Sequence, residues 1–423
     1  MRFQSGGAVD PASGFEGVQR ARIYGKEEIM SMIDYKRLTG LGKVLEESVQ
    51  AGQIAGGNLC VLHRGQEVYY AESGYGDIAN RRKIARDSIF RLYSMTKPVT
   101  SAAVMLLMER GIVDLLDPVS KYIPTFADMK VAAPEGDVAV NRQVTVKDCL
   151  SMTSGLAYNC DPDPASRDAA LVYDELDQRL YSDNPMTTME AARKLGQGRL
   201  AFQPGESWRY GTSADILGAV VEAASGVRFG EFLNREFFEP LCMKDTGFGL
   251  DAPKRDRLTK VYEATADGLA EYHGNHLGIC NHMDTDIRFE SGGAGLVSTI
   301  VDYGHFAQML MNNGTYQGRE YLAPSTVSYM TGCRLYPHQQ SMMAGWESLA
   351  GYSYSNLMRV MTEPSLAVIN GSQGEYGWDG WLGPYFANMP DIDTTFLMMV
   401  QLRDAGTFTL TRKLRNVLAT AII

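Results

Sequence analysis

Ser94-Met95-Thr96-Lys97, followed by Pro98 and the apolar run Val99–Arg110, is the stretch on which the reading of this 423-residue chain turns. On a helix, positions i and i+3 share a face, so Lys97 lies beside Ser94 with its amine in reach of the hydroxyl. A helix start carries unpaired N–H groups and partial positive charge, which favour an alkoxide or a neutral amine. A serine attacks only once a neighbouring base takes its proton. A lysine serves as that base only where burial or nearby cations pull its pKa down from about 10.4. Pro98 sits where a first-turn proline is tolerated. A solvated N-cap serine would more naturally be followed by an acidic residue at N3, as in a capping box, than by lysine. Ser-x-x-Lys occurs once in the chain, and by itself it leaves function undecided.

Composition bounds the rest. Hydrophobic residues make up 45% and charged residues 21%, the profile of a globular protein with ample core. The formal net charge of −10, with no basic stripe, argues against a nucleic-acid partner. The longest apolar run, Ala102–Met108, is too short to span a bilayer. Met1–Met32 has no apolar signal-peptide core, so a cytoplasmic location is expected. Cys60, Cys149, Cys160, Cys242, Cys280 and Cys333 are scattered without a C-x-x-C pair and read as reduced thiols.

Along the chain, residues 1–34 read as a loose lead-in. Asp34–Ala51 has helical spacing, and Asn58–His63 with Gln66–Glu72 reads as a hairpin closed at Arg64-Gly65. Gly74, Gly76 and Ala79 make a G-x-G-x-x-A pattern, but no helix opens there, so a glycine turn is the better reading. The middle of the chain holds helical patches at Val146–Leu150, Met186–Leu195, Ala214–Ala224 and Phe229–Phe237. Strand-like runs resume at Leu366–Asn370, Gly380–Ala387 and Thr394–Gln401, and Thr409–Ala421 closes as a helix. Strands at both ends and helices between them predict an α+β fold. An α/β lobe with an antiparallel sheet would form from 35–120 and 288–423, and a mostly helical lobe from 121–287, with the active site in the cleft between them.

Two further clusters accompany Ser94. Pro204–Ser213 is a turn that offers Tyr210 at a helix entrance, where alone it reads as a half-buried tyrosine. Tyr376-Gly377-Trp378-Asp379-Gly380-Trp381-Leu382-Gly383 sets small glycines among large aromatics, which lets another backbone approach closely.

Taken in order, Ser94-x-x-Lys97, Tyr210 and the Gly-rich stretch near 380 resemble the serine β-lactamase/penicillin-binding-protein superfamily. The likeness is nearest to class C β-lactamase-like serine hydrolases and family VIII carboxylesterases. Phe90–Tyr93, Leu150–Leu156 and Gly292–Thr299 support it, and it covers nearly all the chain after about residue 35. The resemblance implies a β-lactamase/transpeptidase-like fold and a covalent acyl-enzyme. Ser94 would be the nucleophile, Lys97 its base, and Tyr210 the proton shuttle to the leaving group and then to water. The N–H groups of Ser94 and Trp381 would form the oxyanion hole. Two departures bear on substrate. Tyr210-Gly211-Thr212 stands where Tyr-x-Asn or Ser-x-Asn is usual, and Trp378-Asp379-Gly380 where Lys-Thr-Gly is usual. Loss of that lysine removes a cation for a substrate carboxylate, and the tryptophan resembles the W-x-G form of family VIII esterases.

An esterase on small uncharged esters is therefore expected, with Trp378, Gly380 and Thr212 near the substrate and Tyr158, Trp208, Tyr376 and Tyr385 as possible acyl-pocket residues. Acyl transfer, D-amino-acid peptidase or weak β-lactamase activity, and a non-catalytic sensor, are the alternatives. A small-molecule ester or amide is the expected partner, with no cofactor. G-x-S-x-G and P-loop motifs are missing, and His273, His276 and His282 show no metal-ligand spacing.

Overall fold

The computed structural model describes residues 33–284, 286–332 and 334–422. Most of the expected lead-in, and Cys333, lie outside the described residues. The centre is an eight-stranded sheet of β1 (Gly56–His63), β2 (Gln66–Asp77), β3 (Arg82–Lys83), β4 (Tyr352–Ser355), β5 (Met358–Met361), β6 (Tyr376–Asp379), β7 (Tyr385–Met389) and β8 (Thr394–Val400). Its spatial order is β4-β5-β6-β7-β8-β1-β2-β3, and every neighbouring pair is antiparallel. Strands drawn from early and late sequence meet at β1 and β8, in the antiparallel sheet of an α+β fold.

Every residue of β8 is buried, because helices cover both faces. A strand in that position reads as a continuous apolar run rather than an alternating one. On one face lie α1 (Gly40–Gln50) and the C-terminal helix α5 (Thr409–Ala421), whose Leu41, Leu45, Leu410, Leu414 and Leu418 pack on Leu59, Val61, Phe396 and Met398. On the other lie α2 (Lys97–Glu109) and α4 (Ile300–Met311), with α3 (Ser213–Ser225) packed on α2, within a core that runs on into the middle of the chain. Helix α2 is buried almost all round, as its largely apolar sequence requires.

Several sequence expectations change. The first helix divides at Thr39, and α2 begins two residues early, preceded by a 3₁₀ turn, Tyr93–Thr96. Leu366–Asn370 is no strand: Pro364–Leu366 is a single 3₁₀ turn. The run Gly380–Ala387 is split, because Gly380–Pro384 turns the chain between β6 and β7. Strands β4 and β5 went unread. Their two-residue turn is Asn356-Leu357, both at positive φ (50° and 61°), without the glycine that advertises such a hairpin. Leu357 holds that conformation with its N–H bonded to the Leu150 carbonyl at 2.9 Å. Gly74 and Gly76 lie inside β2. Among the described residues Cys60, Cys149, Cys160, Cys242 and Cys280 are unpaired.

One buried ion pair locks α5 to the sheet. The Arg415 guanidinium donates to both oxygens of Glu375, at 2.8 and 2.6 Å, and Tyr352 OH donates to the same carboxylate at 2.9 Å. Both side chains are inaccessible to solvent, and the Arg415 charge holds the Glu375 carboxyl below its usual pKa against the opposing effect of burial. Removing one partner strands a buried charge. Arg415→Leu is expected to destabilise the fold by about 3–5 kcal/mol in urea unfolding, and adding Glu375→Leu to recover much of that loss.

Candidate active site

The Ser94 turn is held from three sides. Ahead of it, Phe90-Arg91 pairs with Val297-Ser298, and the Leu92 N–H donates to Leu296 O at 2.8 Å. The buried Arg91 guanidinium donates to the carbonyls of Thr259 (2.7 Å) and Asn281 (2.9 Å), tying the 272–284 loop to the turn. Behind it, Tyr303 OH on α4 donates to Met95 O at 2.9 Å, and Thr96 Oγ1 accepts from the Leu296 N–H at 3.1 Å. Tyr93, immediately before Ser94, is buried at φ 45°, a left-handed conformation that costs a bulky residue about 1–2 kcal/mol. Edge-on packing against Trp381, centroids 4.9 Å apart, helps fix it there.

Lys97 is inaccessible to solvent, and its Nζ makes three contacts: Ser94 Oγ at 3.0 Å, Tyr158 OH at 3.2 Å and Gly293 O at 2.8 Å. An ammonium donates all three. A neutral amine has two N–H groups and one lone pair, so it can donate to Gly293 O and Tyr158 OH while accepting from the Ser94 hydroxyl. Burial lowers the Lys97 pKa to about 7, against the pull of Asp215 and Asp379, so both forms are populated near neutrality. No neighbouring cation is needed to make this lysine a base.

Asp215, in the first turn of α3, sets the Gly293 carbonyl. Its carboxylate accepts from the Ser291 hydroxyl, from the Gly293 N–H at 3.0 Å and from Tyr173 OH at 3.2 Å. Burial pushes its pKa up, and these donors oppose that shift. Gly292 is needed beside it, because a Cβ there would lie 2.3 Å from the Ala214 carbonyl oxygen.

Tyr210 reaches the same centre. Its hydroxyl hydrogen-bonds Ser94, and the Trp378 indole N–H donates to its oxygen at 3.0 Å. Both bonds favour the phenolate, yet burial outweighs them and keeps the phenol protonated far above neutral pH. The Lys97 amine lies over the Tyr210 ring, 4.6 Å from its centroid.

Gly380 brings the end of β6 onto the Ser94 turn so closely that a Cβ would lie 2.2 Å from the Leu92 carbonyl oxygen. That approach places Trp381 alongside. The Trp381 N–H takes no backbone carbonyl among the described residues, and the first donor within the 3₁₀ turn is Met95, so the Ser94 N–H stands ahead of the ladder. The Trp381 indole donates to Asp404 at 2.6 Å and stacks on His276 with centroids 4.0 Å apart.

The structure redistributes the other expected site residues. Tyr158 lies at the centre itself: its hydroxyl accepts from Lys97 Nζ at 3.2 Å, and its ring is 5.8 Å from that of Tyr210. Trp208 does belong to an aromatic wall beside Tyr210, together with Trp346 and Tyr354, which sequence reading missed; Trp346 lies 5.2 Å from the Tyr210 ring. Tyr376 is buried beneath the sheet, its OH bonded by Asn388. Tyr385 faces α5 on the opposite side of the sheet, where Arg415 bonds it, away from Tyr210 and Lys97. Thr212 is fully buried at the start of α3. Asp379 is half-buried and accepts from the Thr407 hydroxyl. His273 is exposed beside Glu271, and His276 is committed to Trp381, so the three histidines do not converge. Asp215 carried no readable signal, because a first-turn aspartate is equally a helix-start residue.

A family model described as Beta-lactamase matches residues 41–420. Esterase EstB of Burkholderia gladioli is 27% identical over 354 residues, covering 81% of this chain and 85% of its own. A putative D-alanyl-D-alanine carboxypeptidase of Salmonella typhimurium is 25% identical over 371 residues, covering 83% and 79%. Among solved structures, that of EstCE1, a hydrolase with promiscuous acyltransferase activity, superposes with a TM-score of 0.76 at 23% identity, covering 91% of this chain and 98% of its own.

Proposed function

This chain belongs to the Beta-lactamase family, within the serine hydrolase superfamily, and from that premise we propose that it is a carboxylesterase acting on small uncharged esters through an acyl-enzyme on Ser94. The observation that carries the reading is the Trp378 indole N–H bonded to Tyr210 OH at 3.0 Å. A neutral donor occupies the place where a lysine would hold a substrate carboxylate. The negative charge of Asp379 acts on Lys97 from nearby and disfavours anionic ligands further. Esterase EstB, a relative by sequence, carries the matching activity in its name.

In this mechanism neutral Lys97 takes the Ser94 proton as Oγ attacks the ester carbonyl. The Ser94 and Trp381 N–H groups receive the oxyanion, a single such donor contributing about 3 kcal/mol. Tyr210, held as a protonated phenol, gives its proton to the departing alkoxide, and the phenolate takes back the proton that the neighbouring Lys97 removed from Ser94. Water then enters where the alcohol left, and the same groups act in reverse to release the acid.

The test is labelling with a fluorophosphonate followed by peptide mapping, alongside turnover of p-nitrophenyl butyrate and nitrocefin. The adduct is expected on the Ser94 peptide, and kcat/KM for the ester to exceed that for nitrocefin at least about tenfold, the discrimination that one missing polar contact supplies. Faster nitrocefin turnover would overturn the argument from Trp378, and the absence of any adduct would leave a binding protein.

A further inference from the structure

The aromatic wall around Tyr210 has one open member. Trp208, Tyr354 and Trp378 have ring centroids within 6.4 Å of the Tyr210 ring and are 7%, 0% and 1% exposed. Trp346 meets the same ring edge-on at 5.2 Å, yet it is 37% exposed. Its own segment holds it there. The Leu335 N–H donates to Ser353 Oγ at 3.1 Å and Gln340 Nε2 to the Tyr352 carbonyl at 2.8 Å, both on β4. Gln339, itself buried, donates to the Gly205 carbonyl at 2.7 Å, in the turn that leads to Tyr210. The Trp346 N–H then closes on the Met343 carbonyl at 2.9 Å. A surface anchored in this way is ready before the ligand arrives, which lowers the ordering cost of binding. The same segment also leaves Tyr336 and Met342 more than half exposed, and apolar side chains exposed beside a reactive group read as a ligand surface.

Which end of an ester meets Trp346 follows from how the rings divide. One aromatic group surrounds Tyr210 and includes Trp346. The other surrounds Trp381, with Tyr93 at 4.9 Å, Tyr272 at 5.9 Å and His276 at 4.0 Å. Among the described residues no ring contact joins the two groups. A tetrahedral centre on Ser94 Oγ points its oxyanion to the Trp381 side and its leaving oxygen to the Tyr210 hydroxyl. Whatever is attached to the leaving oxygen therefore runs out along the Tyr210 group, where Trp346 is the open face. Resting on the esterase reading, we propose that Trp346 binds the alcohol part of the substrate, and that the preferred substrates are esters of neutral aryl or arylmethyl alcohols. An indole gains ring-specific contact energy with an aromatic partner and only ordinary apolar contact with a saturated one.

Benzyl acetate and cyclohexylmethyl acetate differ in aromaticity at nearly equal size, and ethyl phenylacetate carries its ring on the acyl side instead. With initial rates from a pH-stat, kcat/KM for benzyl acetate is expected to exceed that for the cyclohexylmethyl ester about tenfold, the size of one good aromatic contact, chiefly through KM. Trp346→Ala, and Trp346→Leu, which keeps apolar bulk without the ring, should both bring that ratio close to one. A ratio taken within one variant cancels any general loss of activity or folded protein. The ratio of ethyl phenylacetate to ethyl acetate should stay put in both variants. Equal rates for the benzyl and cyclohexylmethyl esters, a preference that survives Trp346→Leu, or a change on the acyl side in its place would overturn the assignment. Turnover of none of these esters would instead sink the esterase reading, and binding then decides for Trp346. Benzyl acetate is titrated by saturation-transfer NMR against Ser94→Ala with and without Trp346→Leu. Binding about tenfold weaker in the double variant keeps Trp346 as the ring site; equal binding removes it.

Discussion

Lys97→Met is expected to lower kcat for p-nitrophenyl butyrate by about 10³-fold, within the range that a positioned general base contributes. Methionine fills much of the volume of the lysine stem and removes the nitrogen that touches Ser94, Tyr158 and Gly293. The pH profile carries the sharper test. Burial holds the Lys97 pKa at about 7, and only the neutral amine can take the serine proton. The sign follows directly. Below pH 7 the ammonium dominates, and kcat should fall about tenfold per pH unit; above it, kcat should level off. The residual activity of Lys97→Met should lack this acid limb. An acid limb near 7 that survives in Lys97→Met would assign the base to another group. Tyr210 would not replace it, because its phenol stays protonated across the whole range.

The centre of the site was legible because its residues are close in sequence or fixed by helical spacing. Ser94 and Lys97 are three apart at a helix start, and the structure leaves them in contact at 3.0 Å. The flanking hairpin was legible from Arg64-Gly65, a turn dipeptide between two apolar runs. What escaped depends on tertiary contact. Tyr158 and Trp208 carry similar local signals, yet one bonds Lys97 and the other stacks in the aromatic wall. Tyr376 and Tyr385 read alike as well, but the turn at Gly380–Pro384 puts them on different strands, and Tyr385 faces the far side of the sheet. Trp346 comes from a segment far from every motif, and only the folded chain brings it to Tyr210. Asp215 is hidden for a different reason: its role is to bond the Gly293 N–H across 78 positions of sequence.

Gly380→Ala should be nearly as damaging as loss of the base, although it touches no ionisable group. The added Cβ would meet the Leu92 carbonyl oxygen at 2.2 Å and Pro384 Cγ at 2.7 Å, and neither the backbone nor the proline ring can swing aside. The β6 end and the Ser94 turn must therefore separate. The Trp381 N–H moves with β6, and the Ser94 N–H stays with the turn, so any oxyanion position shared by the two is lost. Removing one oxyanion donor costs about 10²–10³ in kcat, and the expected loss lies in that range, with a smaller change in KM. Overpacking should also cost about 1–3 kcal/mol of stability, small enough to leave a folded protein. Gly332→Ala is the control, because a Cβ there meets nothing within 4 Å. Circular dichroism and steady-state kinetics on the two variants separate the cases. If Gly380→Ala keeps full kcat while its melting temperature falls, the close approach is structural and the oxyanion is held elsewhere. If kcat collapses while the fold stays intact, the spacing between two backbone segments, set by a missing methyl group, is what positions the oxyanion donors.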